Sequence, residues 1–526
     1  MEQLNNSLPI NPEDNHPAVL DSAENENPSL LYKVRPNFGV FGGISLLFGV
    51  SYTFLFYKAR LGLNVLLFTV IMTALLVLII KKLSMKVKRG TAAYYAGALL
   101  LGTSCVFTSS WVLHFFNVAG ILLLLDLSLL HQFYDDKEWD LLKHLTRMLL
   151  LPFSCIATIA MPFKDSLLFL KNTKILKNDK ARNILLGAGI ALPLLGIMIG
   201  LLSSADLLFR SMFKEIYTFI FSSNLFAVLF MVIAGFLVCY CIICGSTVKA
   251  GIEEVTKPLT KADASIAVTA LGLLSLVYAI FCGIQILYLF TGGFSVLPKG
   301  FTFSQYARRG FFELLLVTAI NILLMIVSTK YFEDSKLIRI ILTFMTICTY
   351  IMIGSAAYRM LLYIGAYNLT FLRLFVLLFL FIDALVLAGV ITYVFYRRFP
   401  LFHYCVIVTS ACYIIFSFAK PDYYIASYQI QQKEELNSID LNFLTNVLSL
   451  DAAPVVLPAL AELAGNNAAS NVQTNEFIIQ NDILSTVKQY RETIQEEENN
   501  RKIRDFNVSN EQAFRALNKY TGYLLP

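Results

Sequence analysis

The stretch Leu61–Ile80, LGLNVLLFTVIMTALLVLII, runs for twenty residues without a charged side chain. Its only hydrophilic side chains are Asn64, Thr69 and Thr73. A helix of about twenty residues rises about 30 Å, the thickness of a bilayer's hydrocarbon layer. The run is too long for a strand and shows no alternation of polar and apolar residues. It therefore predicts a membrane-spanning helix.

The same signal recurs on both sides of that stretch. Spans are expected at Phe38–Tyr57, Leu61–Ile80, Ala92–Thr108, Val112–Leu130, Ile184–Leu202 and Leu225–Ile243. Further spans are expected at Ala264–Phe290, Phe311–Val327, Leu337–Leu361, Phe371–Tyr396 and Tyr404–Phe418. The composition agrees: 57% of the 526 residues are hydrophobic, 15% are charged, and the mean hydropathy is +0.65. Soluble domains lie nearer 45–50% apolar and about 25% charged. The fold class expected is all-α, a polytopic transmembrane helical bundle of about eleven spans with a small helical C-terminal domain.

Charge sets the expected orientation. The connections after the second, fourth, sixth, eighth and tenth spans carry twenty-two Lys and Arg, against eight on the opposite side. The positive-inside rule then puts the N-terminus in the cytoplasm and the C-terminus outside. The expected location is the cell (inner) membrane of a bacterium. Within the long connection 131–182, Trp139, Leu142, Leu145 and Leu149 recur at helical spacing opposite Asp140, Lys143 and Arg147. That pattern predicts an amphipathic helix on the cytoplasmic surface. Met148–Met161, interrupted by Pro152, is too short to span and is open to a re-entrant path. A second amphipathic piece is expected at Ala205–Ile216.

Three regions follow: a disordered, Asn- and Pro-rich tail over 1–35, the bundle over 36–419, and a polar helical domain over 420–526. Helices are expected there near Pro421–Lys433, Leu441–Leu448, Pro454–Leu463 and Asn475–Asp505. A last one is expected from Ser509, where Ser509 and Gln512 match a capping box.

Several function classes are excluded. The net charge of +6 lies at the ends of apolar runs, which argues against nucleic-acid binding. The sequence has no Walker loop, no G-x-S-x-G and no H-E-x-x-H. The nine cysteines lie in or beside apolar runs, and Cys239, Cys241 and Cys244 lack a neighbouring histidine. The five histidines are scattered, so no metal site, catalytic residue or cofactor is expected. The Gly39–Gly43 spacing suggests helix packing.

Charged groups inside spans are costly and so draw attention. Asp126 and Asp383 are the intramembrane carboxylates. Each reads either as a functional group or as a structural one: helix-terminal for Asp126, hydrogen-bonded for Asp383. Tyr306, Arg309 and Glu313 share a helix face at the entry to the eighth span. Arg359 and Tyr363 lie near the outer end of the ninth, and Arg373 opens the tenth. If these ends converge, they form either a cationic pocket for a phosphate or carboxylate or an ion-pair clamp between helices.

The string YARRGFFEL at Tyr306–Leu314 resembles bacterial membrane proteins grouped as domain of unknown function 4153 or 4173. YRMLLY at Tyr358–Tyr363, LTFLR at Leu369–Arg373 and Lys420-Pro421-Asp422 support the resemblance, which covers roughly residues 90–460. Lys420 stands where the resemblance implies Asn. It implies a multispanning inner-membrane protein and assigns no activity. Two function classes remain: binding or transport of an anionic small molecule or lipid, and a non-catalytic sensor or scaffold presenting its C-terminal domain to a protein partner. The lipid bilayer is a partner in either case, and the oligomeric state is not legible.

Overall fold

The computed structural model describes residues 30–137, 139–172, 187, 191, 194–195, 197–199, 201–206, 209–211, 224–248, 260–290, 311–432, 436–469 and 474–524. Among them no strand forms, and the apolar runs become helices. We label these α1 (Phe38–Phe56), α2 (Leu63–Lys82), α3 (Thr91–Phe107), α4 (Trp111–Phe133), α5 (Leu141–Ala157), α6 (Met161–Asn172) and α7 (Asn224–Val248). They continue as α8 (Ala264–Phe290), α9 (Phe311–Tyr331), α10 (Lys336–Tyr367), α11 (Phe371–Phe395) and α12 (Leu401–Phe418). Eight described helices are long and apolar enough to cross a membrane, or up to ten if each of two bent pairs is one span. This is an all-α, multi-pass membrane protein. The expected span Ile184–Leu202 and the amphipathic piece Ala205–Ile216 lie largely outside the described residues.

Two buried clusters organise the bundle. One gathers side chains of α1–α5 and α7, including Phe41, Leu76, Leu101, Leu124 and Tyr240. The other gathers α8–α12 around Met325, Leu342, Met345 and Leu387. Helix α12 joins them: Phe402 belongs to the first cluster and Leu401 to the second. Polar side chains reinforce the join. Ser104 and Ser417 share a 2.6 Å hydrogen bond, and Ser417 and Tyr413 both donate to Asn117 Oδ1 at 2.9 Å. A second buried network links α8, α9 and α10, with Tyr278 donating to Asn321 and Asn321 to Thr349.

The α5 helix departs from expectation in one respect. It runs through Pro152, and the break falls after Ala157, where α6 continues at a 44° bend. Asp140 caps its start by accepting from the Lys143 amide, and also pairs with Lys330 of α9 at 2.8 Å. Both ends of α5 stay at the Lys-rich end of the bundle. His144 packs on Phe402 at the start of α12, and Cys155 packs on Gly245 near the end of α7. Leu149, Phe153 and Ile156 are exposed on its outer side, as for a helix lying in a membrane interface.

The C-terminal helices are α13 (Pro421–Gln432), α14 (Ser438–Asn442), α15 (Ala453–Ala469), α16 (Thr474–Asn499) and α17 (Val508–Leu524). They share a third core around Ile425, Leu444, Val456, Tyr490 and Leu517. The capping box lies at Asn437 and Asp440. At α17 the cap differs from expectation: the Asn507 side chain accepts from the Ser509 amide. Ser509 and Gln512 instead accept from Lys420 Nζ.

Candidate functional site

The C-terminal helices sit on the end of the bundle opposite the Lys-rich end. Asp451, 2% exposed, accepts from the Thr108 hydroxyl and from the amide and hydroxyl of Ser109, between α3 and α4. Asn507 donates to the Cys105 and Thr108 carbonyls, and Arg504 to those of Phe54 and Tyr57. The Leu63 amide donates to Phe506, and Gln429 donates to Leu369 before α11. A carboxylate buried among three donors and bonds reaching three inter-helix connections fix this cap in place.

Beneath the cap lies a cleft of ≈850 Å³. Its floor is Ser110–Val112 and His114 of α4 and Thr370–Leu372 of α11, and its roof includes Asp422, Asn446, Glu497 and Arg501. Its charges nearly balance. Arg60 and Arg501 face Asp422, Glu497 and Asp505, and Arg60 pairs with Glu497. Burial holds the Asp422 carboxyl above its ordinary value, against the Ser449 amide and hydroxyl that donate to it.

Deeper in the bundle, the same two helices line a groove of ≈550 Å³, with Leu141, Leu145 and Met148 of α5 also in its lining. Phe116, Ala119, Gly120 and Leu123 of α4 face Phe375, Phe379 and Ile382 of α11, with α12 at the back. Nearly every lining atom is apolar. Phe116 and Phe375 stack at 5.0 Å between the two cavities.

The expected outer cluster is only partly visible. Tyr306 and Arg309 lie outside the described residues. Glu313 is exposed on the first turn of α9. Arg359 donates to Gln285, which also accepts from Ser355. Arg373 and Tyr363 do meet, with the guanidinium 4.1 Å from the ring centroid. Arg373 also donates to the carbonyls of Tyr367 and Asn368 at the end of α10, where Asn368 adopts φ 66°. A cation there complements the helix C-terminus. These contacts tie the start of α11 to the end of α10. Asp383 has Thr318 of α9 as its hydrogen-bonding neighbour, and Asp126 Oδ2 is buried without a hydrogen-bond partner.

A family model described as Domain of unknown function (DUF4153) matches residues 95–459. The chain belongs to the DUF4153 family. The DUF4153 match starts within α3 and ends within α15, so it takes in the groove and the α4 and α11 side of the cleft, while Arg60, Glu497, Arg501 and Asp505 of the cleft lie outside it. No curated relative and no solved structure matches the chain.

Two features escaped sequence reasoning. The cap-covered cleft depends on contacts more than 300 residues apart, such as Thr108 with Asp451. Three of the histidines read as scattered converge at the Lys-rich end: His131, His144 and His403. The only signal available was that each stands near the end of an apolar run.

Proposed function

We propose that this DUF4153 protein holds an amphiphile, a lipid or lipid-like molecule, along the α4–α11 seam. Its polar end would occupy the cleft under the cap and its hydrocarbon the groove below. The observation that carries this reading is the continuity of the lining: the same two helices run from a cleft whose cap side supplies polar and charged groups, such as Asp422, Glu497 and Arg501, into a groove that is apolar from Phe116 and Phe375 downward. Both volumes fall in the range of ligand sites, about 300–1,000 Å³.

The near-balanced charge of the cleft suits a zwitterionic or neutral head better than a strongly anionic one. Arg373 and Tyr363 then brace the connection before α11. Arg373 fixes the connection that carries Thr370 into the cleft. Transport along the seam would need a gradient, since the chain has no ATP-binding loop. The proposal places the protein in an inner membrane with the cap outside, following the basic residues at the other end.

A photoactivatable phospholipid with a diazirine in its acyl chain tests the reading in nanodiscs. Label should concentrate on Phe116–Leu127 and Phe375–Ile382. It should fall several-fold in Ala119→Trp, which fills the groove, while the melting temperature stays near that of the parent. Even labelling of outward positions such as Leu46 and Leu276, unchanged by Ala119→Trp, would mean bulk lipid contact only and sink the proposal.

A further inference from the structure

At the Lys-rich end, three helix termini bring nitrogen and oxygen ligands together. His131 ends α4, Asp136 follows in the connection, His144 stands on the first turn of α5, and His403 on the first turn of α12. We propose that His131, Asp136, His144 and His403 form a transition-metal site of the zinc class, tying these three helices together. The inference rests on different residues from the seam and stands or falls independently of it.

The decisive geometry is at His144. Its Nδ1 lies 3.0 Å from the Asp140 carbonyl, which can only accept, so Nδ1 carries the proton and Nε2 a lone pair. That Nε2 is buried, has no hydrogen-bond partner, and lies 3.9 Å from Asp136 Oδ2. With the imidazole neutral, that lone pair faces a carboxylate oxygen that His131 Nδ1 reaches at 2.7 Å, and a cation between His144 and Asp136 would give the unpartnered nitrogen its partner. The gap is too long for a shared proton. Tetrahedral ligand atoms about 2.0–2.2 Å from zinc lie about 3.3–3.6 Å apart, so closing the gap by a few tenths of an ångström puts both on one ion.

The other ligands converge on the same oxygen. His403 Nε2 lies 3.9 Å from Asp136 Oδ2, and His131 Nδ1 lies 2.7 Å from it. The ligand atoms of His131, Asp136 and His403 all fall within 4.8 Å of one another. His131 cannot turn its other nitrogen inward, because Nε2 is pressed against Gly90: a Cβ there would come within 2.5 Å of it. The carbonyl behind His144 is the outer partner that metal-binding imidazoles generally have, fixing tautomer and ring direction. Trp139 and Phe402 close the ring of His144 on its edge and face.

Lys88 is the neighbouring positive charge. Its ammonium is engaged with the His131 and Tyr134 carbonyls rather than with the carboxylate. Three imidazoles with one carboxylate suit zinc and its borderline neighbours rather than magnesium or calcium.

The test uses the full chain in detergent, stripped with chelator and then given zinc(II) alone, or cobalt(II) as a coloured substitute. One zinc per chain should survive desalting, and cobalt should give the visible band of a four-coordinate site. His144→Ala should abolish both. His403→Gln, at a partly exposed position, should weaken zinc by about 100-fold or more, beyond the 10–100-fold that loss of an outer partner costs. Its helical content and metal-free melting temperature should match the parent, so it decides the matter if His144→Ala fails to fold. Absence of retained zinc in the parent, or equal retention in His403→Gln, would overturn the site.

Discussion

Asp422 shows how one side chain couples the cap to solution conditions. It is 5% exposed, and burial raises its carboxyl above the ordinary 3.8. A raised carboxyl binds its proton more tightly folded than unfolded. Its contribution to stability is therefore full below about pH 3.8 and lost as pH rises through the folded value. Asp422→Asn keeps an oxygen that can accept from Ser449 and removes the charge. Thermal unfolding of the cap should then lose part of its decline between mild acid and neutral pH, with equal or higher stability at pH 7. An unchanged pH slope would show that Asp422 does not titrate in this way. Lys420 beside it explains its own departure from the expected Asn. It adopts φ 53°, a left-handed conformation that Asn tolerates well, and its ammonium donates to Ser509 and Gln512 at 3.0 Å. The unusual residue was legible in the sequence. Its compensation was not, because those partners lie about ninety residues away.

Helix positions were the most legible part of the fold, because twenty apolar residues in a row leave the chain few alternatives in a bilayer. The ends of α8 coincide with expectation, and those of α1, α2 and α11 fall within two residues of it. The start of α12 moves from Tyr404 to Leu401, and that shift puts His403 on the helix beside His144. Which faces meet was less legible. Gly39 and Gly43 were the expected packing pair, yet a Cβ on Gly43 would meet nothing within 4 Å. The close approach is at Gly49 of α1 and Gly235 of α7. A Cβ on Gly49 would come within 2.4 Å of the Val232 carbonyl oxygen, and one on Gly235 within 2.7 Å of Gly49 Cα. Backbone cannot yield there as a side chain would. Gly49→Val should therefore cost about 2 kcal/mol or more through overpacking. Gly43→Ala, on the exposed face, should be neutral or slightly stabilising. Comparable melting losses in the two variants would refute the crossing.

At the scale of the whole molecule, the bundle has two chemically different ends. One carries lysines, the amphipathic α5 and the histidine–aspartate cluster. The other is closed by helices that contact the connections after α1, α3 and α10. The polar tail was legible as a composition change at Lys420, but its docking was not, since short hydrophilic loops such as Thr108–Ser110 give no hint of their partners. The outer Arg and Tyr residues were legible one by one. Only the structure turns Arg373 toward the end of α10 and puts the polar cleft and apolar groove in line along α4 and α11. The central claim is that this seam holds one amphiphile per chain. Native mass spectrometry of the detergent-extracted protein tests it most directly. The account predicts one retained lipid-sized mass on the parent chain, lost in Ala119→Trp. A parent that emerges bare, or the same retained mass in both proteins, would contradict it.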